Sequence, residues 1–175
     1  MIGLVKRFAI YGIAVTAEPK LFEEIMPNLP EIGSAYSFCA HACLVAVRSW
    51  ADEQHYQGDI AYFFESGHAS QSEANRIMNE LFSTPEWRLS YRYVSHTFAD
   101  KKKVRPLQSA DLLAWQWQKD HKRRMEGRKK EPRKDCYTLI HGPNPPHYVI
   151  HYTEAQLRWF AERALHRTFP LNLSE

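Results

Sequence analysis

The chain has 175 residues, of which 44% are hydrophobic and 13% aromatic, and a formal net charge of only +3. That supports one domain with a packed core. No apolar run reaches the length of a membrane span, which argues against a membrane protein.

The start, "MIGLVKRFAIYGIAVTAEP", is apolar but is interrupted by Lys6 and Arg7 and shows no clear small-residue cleavage site. It reads as a strand, not a signal peptide, with "RFAIYGIAVTA" (7–17) as its β-branched part. "EPKLFEEIMPNLPEIG" reads as a prolyl connection with room for one helical turn. From Ser34 to about Gln54, apolar and small residues recur at Ala35, Phe38, Cys39, Ala42, Ala46, Ser49 and Trp50, which predicts a helix with one buried face. "DIAYFFE" (59–65) is a nearly continuous apolar run, as in a central strand. "SQSEANRIMNELFS" predicts a helix opened by a capping box of Ser70 and Glu73. It would bury Ala74, Ile77, Met78, Leu81 and Phe82. "LSYRYVSHTFA" (89–99) alternates like a strand.

A further helix runs from about Leu107 to Arg128, with Pro106 in its first turn and a core stripe of Ala110, Leu113, Ala114 and Trp117. Between Lys119 and Lys134 lie nine cationic residues and three acids, a local +6 that leaves −3 on the remainder. Such a tract suits phosphate-rich partners, and equally a solvated loop. "DCYTLIHGP" and "PHYVIHYT" read as short extended pieces around a Pro-rich turn. A last helix follows the capping pair Thr153 and Gln156. Strands alternating with helices predict an α/β sheet covered by helices. The expected organisation is a single domain over 1–175, with a core at about 7–128, a basic linker at about 119–135 and a small strand–helix appendage at about 136–175.

Two acids stand out. Asp111 lies on the margin of its helix's apolar stripe, too deep in the helix to serve as an N-cap. It is either a site residue or a boundary acid paired with Lys or Arg. Glu65 ends the apolar strand just before a turn, where sites form in open α/β sheets, and His68 follows as a site neighbour. Two carboxylates converging there would suit a hard cation such as Mg²⁺. His147 and His151, with His141 nearby, read as a polar strand face in preference to metal ligands. The three cysteines (Cys39, Cys43 and Cys136) form no C-x-x-C pair and read as reduced core thiols of a cytoplasmic protein.

With Gln108, Ala110, Asp111, Leu112, Leu113 and Ala114 in "PLQSADLLAW", and Glu65 in "YFFESG", the chain resembles the domain-of-unknown-function 3800 family, whose members are similar to ribonuclease H. The resemblance covers roughly residues 7–128. It implies a ribonuclease-H-like mixed sheet flanked by helices. It also implies metal-dependent phosphodiester hydrolysis, with Glu65 and Asp111 holding Mg²⁺ or Mn²⁺ and Gln108 orienting Asp111 or touching substrate. Lys122, Arg123, Arg124, Arg128, Lys129 and Lys130 would then hold nucleic-acid phosphates.

The family opens with a strand carrying Asp-x-Ser-Gly, which has no counterpart between Met1 and Ala17. The expectation is therefore an N-terminally truncated domain, impaired in catalysis, with an exposed sheet edge that a second copy could cover. The alternative is a non-catalytic nucleic-acid-binding or assembly module on the same fold.

Overall fold

The computed structural model describes residues 2–26, 29–125, 127 and 146–165. In chain order these form α1 (Ile2–Phe8), β1 (Gly12–Ala17), α2 (Pro19–Ile25), α3 (Ala35–Glu53), β2 (Ile60–Glu65) and α4 (Gln71–Leu81). Then come α5 (Pro85–Ser90), β3 (Tyr93–Ala99), α6 (Arg105–Met125), β4 (His147–Tyr152) and α7 (Glu154–Leu165). The protein is α/β, as its alternation of strands and helices predicts. Its described strands make two parallel pairs, β1 with β4 and β2 with β3, in place of one continuous mixed sheet. No described helix is long and apolar enough to cross a membrane.

The chain divides into two compact units. One holds residues 1–14 and 99–149, the other residues 15–98 and 150–175.

In the second unit α3 is the organising element. Phe38 and Ala42 enter a first core with Phe22 and Met26 from the α2 region and Tyr152, Leu157, Phe160, Ala161 and Ala164 from the C-terminal strand and helix. Ala40, Leu44 and Val45 enter a second core with Tyr62, Ala74, Met78, Phe82 and Tyr91. The single buried face expected for this helix is thus corrected to two. Alanines at 40, 42 and 46 leave a surface slim enough to be packed on both sides. The C-terminal strand and helix are likewise not an appendage, because they supply half of the first core.

Aromatic contacts set the geometry of both cores. Phe38 meets Tyr152 edge-on at 4.9 Å and Phe160 at 5.7 Å between ring centroids. In the second core Phe82 stacks on Tyr93 at 3.8 Å. Tyr62 is the only fully buried residue of β2, and Phe63 is half-exposed. Among the described residues β2 pairs only with β3, so it is not the central strand expected.

Local signals explain most boundaries. Glu18 caps α2, accepting from the Leu21 N–H at 2.6 Å, and Pro19 opens the helix. Thr153 and Gln156 form a reciprocal capping box on α7: Gln156 Oε1 accepts from the Thr153 N–H at 2.9 Å, and Thr153 Oγ1 accepts from the Gln156 N–H at 3.4 Å. The predicted Ser70–Glu73 box is absent, because Ser70 makes no side-chain cap. Glu73 instead reaches the N-terminus of α3. There it accepts from the Ser34 N–H at 2.8 Å, from Ser34 Oγ at 2.7 Å and from Ser37 Oγ. A carboxylate gains from the positive end of a helix. Gly33, at φ +67°, makes room for it: a Cβ there would lie 2.6 Å from Glu73 Oε1.

Burial raises the Glu73 pKa, but the bonds from Ser37 and Ser34 outweigh it and hold the carboxyl below its ordinary range. Glu73→Ala removes the acceptor shared by the Ser34 N–H and the Ser34 and Ser37 hydroxyls. It is expected to cost about 2 kcal/mol in urea unfolding. A loss under about 0.5 kcal/mol would show that the latch contributes little.

At the N-terminus the expected strand over 7–17 is shortened, since Ile2–Phe8 is helical and only Gly12–Ala17 is extended. Gly12 of β1 lies against the His147 ring, where a Cβ would not fit.

α6 carries another correction. Leu107, Gln116 and Asp120 are its buried residues, Leu113 and Trp117 are partly buried, and Ala110 and Ala114 are exposed. The buried face is rotated from the predicted stripe because two small alanines yield their place to longer side chains. The basic linker expected at 119–135 begins instead as helix, because residues 119–125 are the last turns of α6.

Candidate functional site

Two places carry the chemistry expected of the chain, one in each unit. The first is the C-terminal end of β2, where Glu65 closes the strand and Gly67, at φ +99°, turns the chain toward α4. The turn is held by side chains: Gln71 Oε1 accepts from the Gly67 N–H at 2.8 Å, and His68 Nδ1 accepts from the Ser70 N–H at 3.1 Å. With Nδ1 an acceptor, the His68 imidazole is the Nε2–H tautomer.

The His68 ring stacks on Tyr36 of α3 at 3.9 Å with an interplanar angle of 11°. The Tyr36 hydroxyl has a raised pKa, first because it is partly buried and next because the Glu65 carboxylate is near. Glu65, Tyr36 and His68 thus form one cluster at a strand end. Sequence reasoning found Glu65 and His68 and missed Tyr36, which only the packing of α3 brings there.

Behind this cluster lie Cys39 and Cys43. Burial pushes their thiols up to about 11 and about 12, so both are protonated and unreactive at neutral pH. Both are free of disulfides, as expected, and Cys136 lies outside the described residues.

The second place is α6. Asp111 is exposed and pairs with Lys101 Nζ at 3.0 Å. Gln108 does not orient Asp111. Its amide donates to the Lys101 backbone carbonyl at 2.9 Å and so secures the turn that carries Asp111's partner. Of the two readings open for Asp111, its immediate surroundings match the boundary acid paired with a lysine. Glu65 belongs to one compact unit and Asp111 to the other. Among the described residues no three His, Cys, Asp or Glu side chains gather as a metal site.

The outward face of α6 holds more. At 100° per residue, Gln108, Asp111, Trp115, Lys119 and Lys122 fall within an arc of about 80°. Trp115 is 51% exposed, and Lys119 Nζ lies 4.4 Å from the centroid of its ring. Lys122 is also exposed. Arg123 lies at the margin of this arc, one turn beyond Lys119. It is half-buried, and its Nη1 is enclosed without a hydrogen-bond partner. Of Arg124 only the backbone is described, and Arg128, Lys129 and Lys130 lie outside the described residues.

Of the β4 histidines, His151 takes the polar role expected of it. His151 Nδ1 is 2.9 Å from Thr16 Oγ1 on β1. His141 is outside the described residues.

Compared with known proteins, the chain matches no family model, no curated protein and no solved structure.

Proposed function

We propose that this α/β protein binds nucleic acid, gripping phosphates through the outward face of α6 and the basic sequence that continues from it. One observation carries the reading: Lys119 and Lys122 share an exposed arc of α6 with a half-exposed indole. Ammonium groups on flexible stems act as point charges toward phosphate and read no base sequence. The +6 tract from Lys119 to Lys134 adds long-range attraction to any polyanion. Replacing Lys119 and Lys122 together with Ala should weaken binding to a labelled oligonucleotide about tenfold at low salt, equally for unrelated sequences. Unchanged affinity in that variant would remove α6 from the interface.

Metal-dependent phosphodiester hydrolysis on a ribonuclease-H-like fold is the second reading. Glu65 favours it, standing at a strand end beside Tyr36 and His68. The donor set does not fit a two-ion site, which needs several carboxylates to hold ions about 4 Å apart. Asp111 is engaged by Lys101, and no third acid joins it among the described residues. We therefore derive no step through a metal. Cleavage of DNA or RNA in Mg²⁺ or Mn²⁺ that is abolished by Asp111→Asn and by Glu65→Gln would establish the chemistry over the binding role.

A further inference from the structure

We propose that Trp115 is a stacking platform for an unpaired base, so that the nucleic acid preferred by α6 is single-stranded. The inference rests on the proposed binding role of α6 and adds its substrate class. A duplex hides its base faces and offers phosphates alone. A single strand offers both phosphates and π-surfaces, and proteins that bind it combine cations with exposed aromatic rings.

α6 displays that combination. Its indole is 51% exposed, and the Lys119 ammonium lies 4.4 Å from the ring centroid. This cation–π contact covers one face of the indole with positive charge, so a base stacking on that face displaces the ammonium, whose flexible stem keeps it close enough to meet the adjoining phosphate. Lys122 lies one turn further along the same arc, toward the basic tract.

The rest of the arc excludes an apolar docking face. Gln108 and Asp111 are polar, and Asp111 is paired with Lys101. A membrane-surface helix would instead present several large apolar groups around the tryptophan. The carboxylate also favours phosphates bound at the Lys119–Lys122 end of the arc over its own end.

The test uses the full chain, labelled oligothymidylate, a duplex of the same length, and vesicles of anionic phospholipid. Trp115→Ala should weaken single-strand binding about ten- to a hundredfold. Duplex affinity and the salt dependence should stay near those of the parent, and Trp115→Phe should recover most of the loss. The parent's tryptophan emission should be quenched by the single strand, and Trp115→Phe should lose that quenching. Thermal unfolding of each variant checks that an exposed substitution has left the fold intact.

If Trp115→Ala binds the single strand as tightly as the parent does, the stacking role is overturned and phosphate binding by α6 stands. If the parent binds no oligonucleotide at low salt, both fall. Vesicle binding that depends on Trp115, without oligonucleotide binding, would assign the face to lipid and overturn the proposal.

Discussion

Replacing Phe38 with Ala is expected to cost about 4 kcal/mol of stability and about 10 °C in melting temperature. The ring is buried at the centre of the first core. It touches Phe22, Tyr152 and Phe160 at centroid distances of 5.2, 4.9 and 5.7 Å. Its removal loses the transfer energy of the ring and leaves a cavity walled by three other aromatics, which cannot collapse into it without breaking their own contacts. Phe63, the same residue type at a half-exposed position of β2, is the control, and Phe63→Ala should change stability by less than about 0.5 kcal/mol. Equal losses from the two variants in urea unfolding would mean that α3 does not organise the core as described.

Acidification from pH 6.5 toward 4 should remove up to about 3 kcal/mol through one histidine. Burial pushes the His41 imidazole down to about 4, and its Nε2 lies 3.5 Å from the buried Tyr91 hydroxyl. The unfolded chain takes up this proton near the ordinary value of 6.5, and the folded chain does not. Between those two values the unfolded state binds more protons, so stability is complete above pH 6.5 and falls as the pH drops to about 4. Glu73 extends the loss to lower pH. Its folded-state pKa is depressed, so its contribution is present above the ordinary carboxyl value and is lost as the pH falls through the folded one. Urea midpoints measured across pH should decline in both windows for the parent. His41→Gln should remove most of the decline in the upper window, leaving the part from His96, whose pKa burial also lowers, and keep the lower window. A parent whose stability is flat between pH 6.5 and 4 would contradict the burial of a neutral imidazole.

Much of this architecture is legible in the sequence where local rules act alone. Ser34 begins α3, Pro19 begins α2, Thr153 and Gln156 cap α7, and Ala74, Ile77, Met78 and Phe82 are buried as their spacing predicts. The departures come where tertiary contacts choose among locally equal options. Glu73 has the right spacing to close a capping box with Ser70, but three donors at the start of α3 offer more than one backbone N–H. Along α6, alanines score as core in any apolar pattern, yet Ala110 and Ala114 face solvent while Gln116 and Asp120 are buried. That rotation changes the functional reading. It places Asp111, Trp115, Lys119 and Lys122 together on the outside, where periodicity had singled out only Asp111 as odd. Trp115 and Lys119 were visible as an i, i+4 pair of aromatic and cation, a signal that an apolar count passes over. Tyr36 beside Glu65 had no signal of this kind, since 29 positions of chain separate them.

The most direct test of the central claim is the salt dependence of oligonucleotide binding by the parent and by the variant with Lys119 and Lys122 both changed to Ala. Binding through phosphates releases counterions, so the logarithm of affinity should fall linearly with the logarithm of salt concentration, at a slope of about −0.7 for each phosphate neutralised on a single strand. The account predicts a steep slope for the parent and one shallower by about 1.4 for the double variant. A parent affinity that is negligible at low salt, or a slope that the two substitutions leave unchanged, would contradict it.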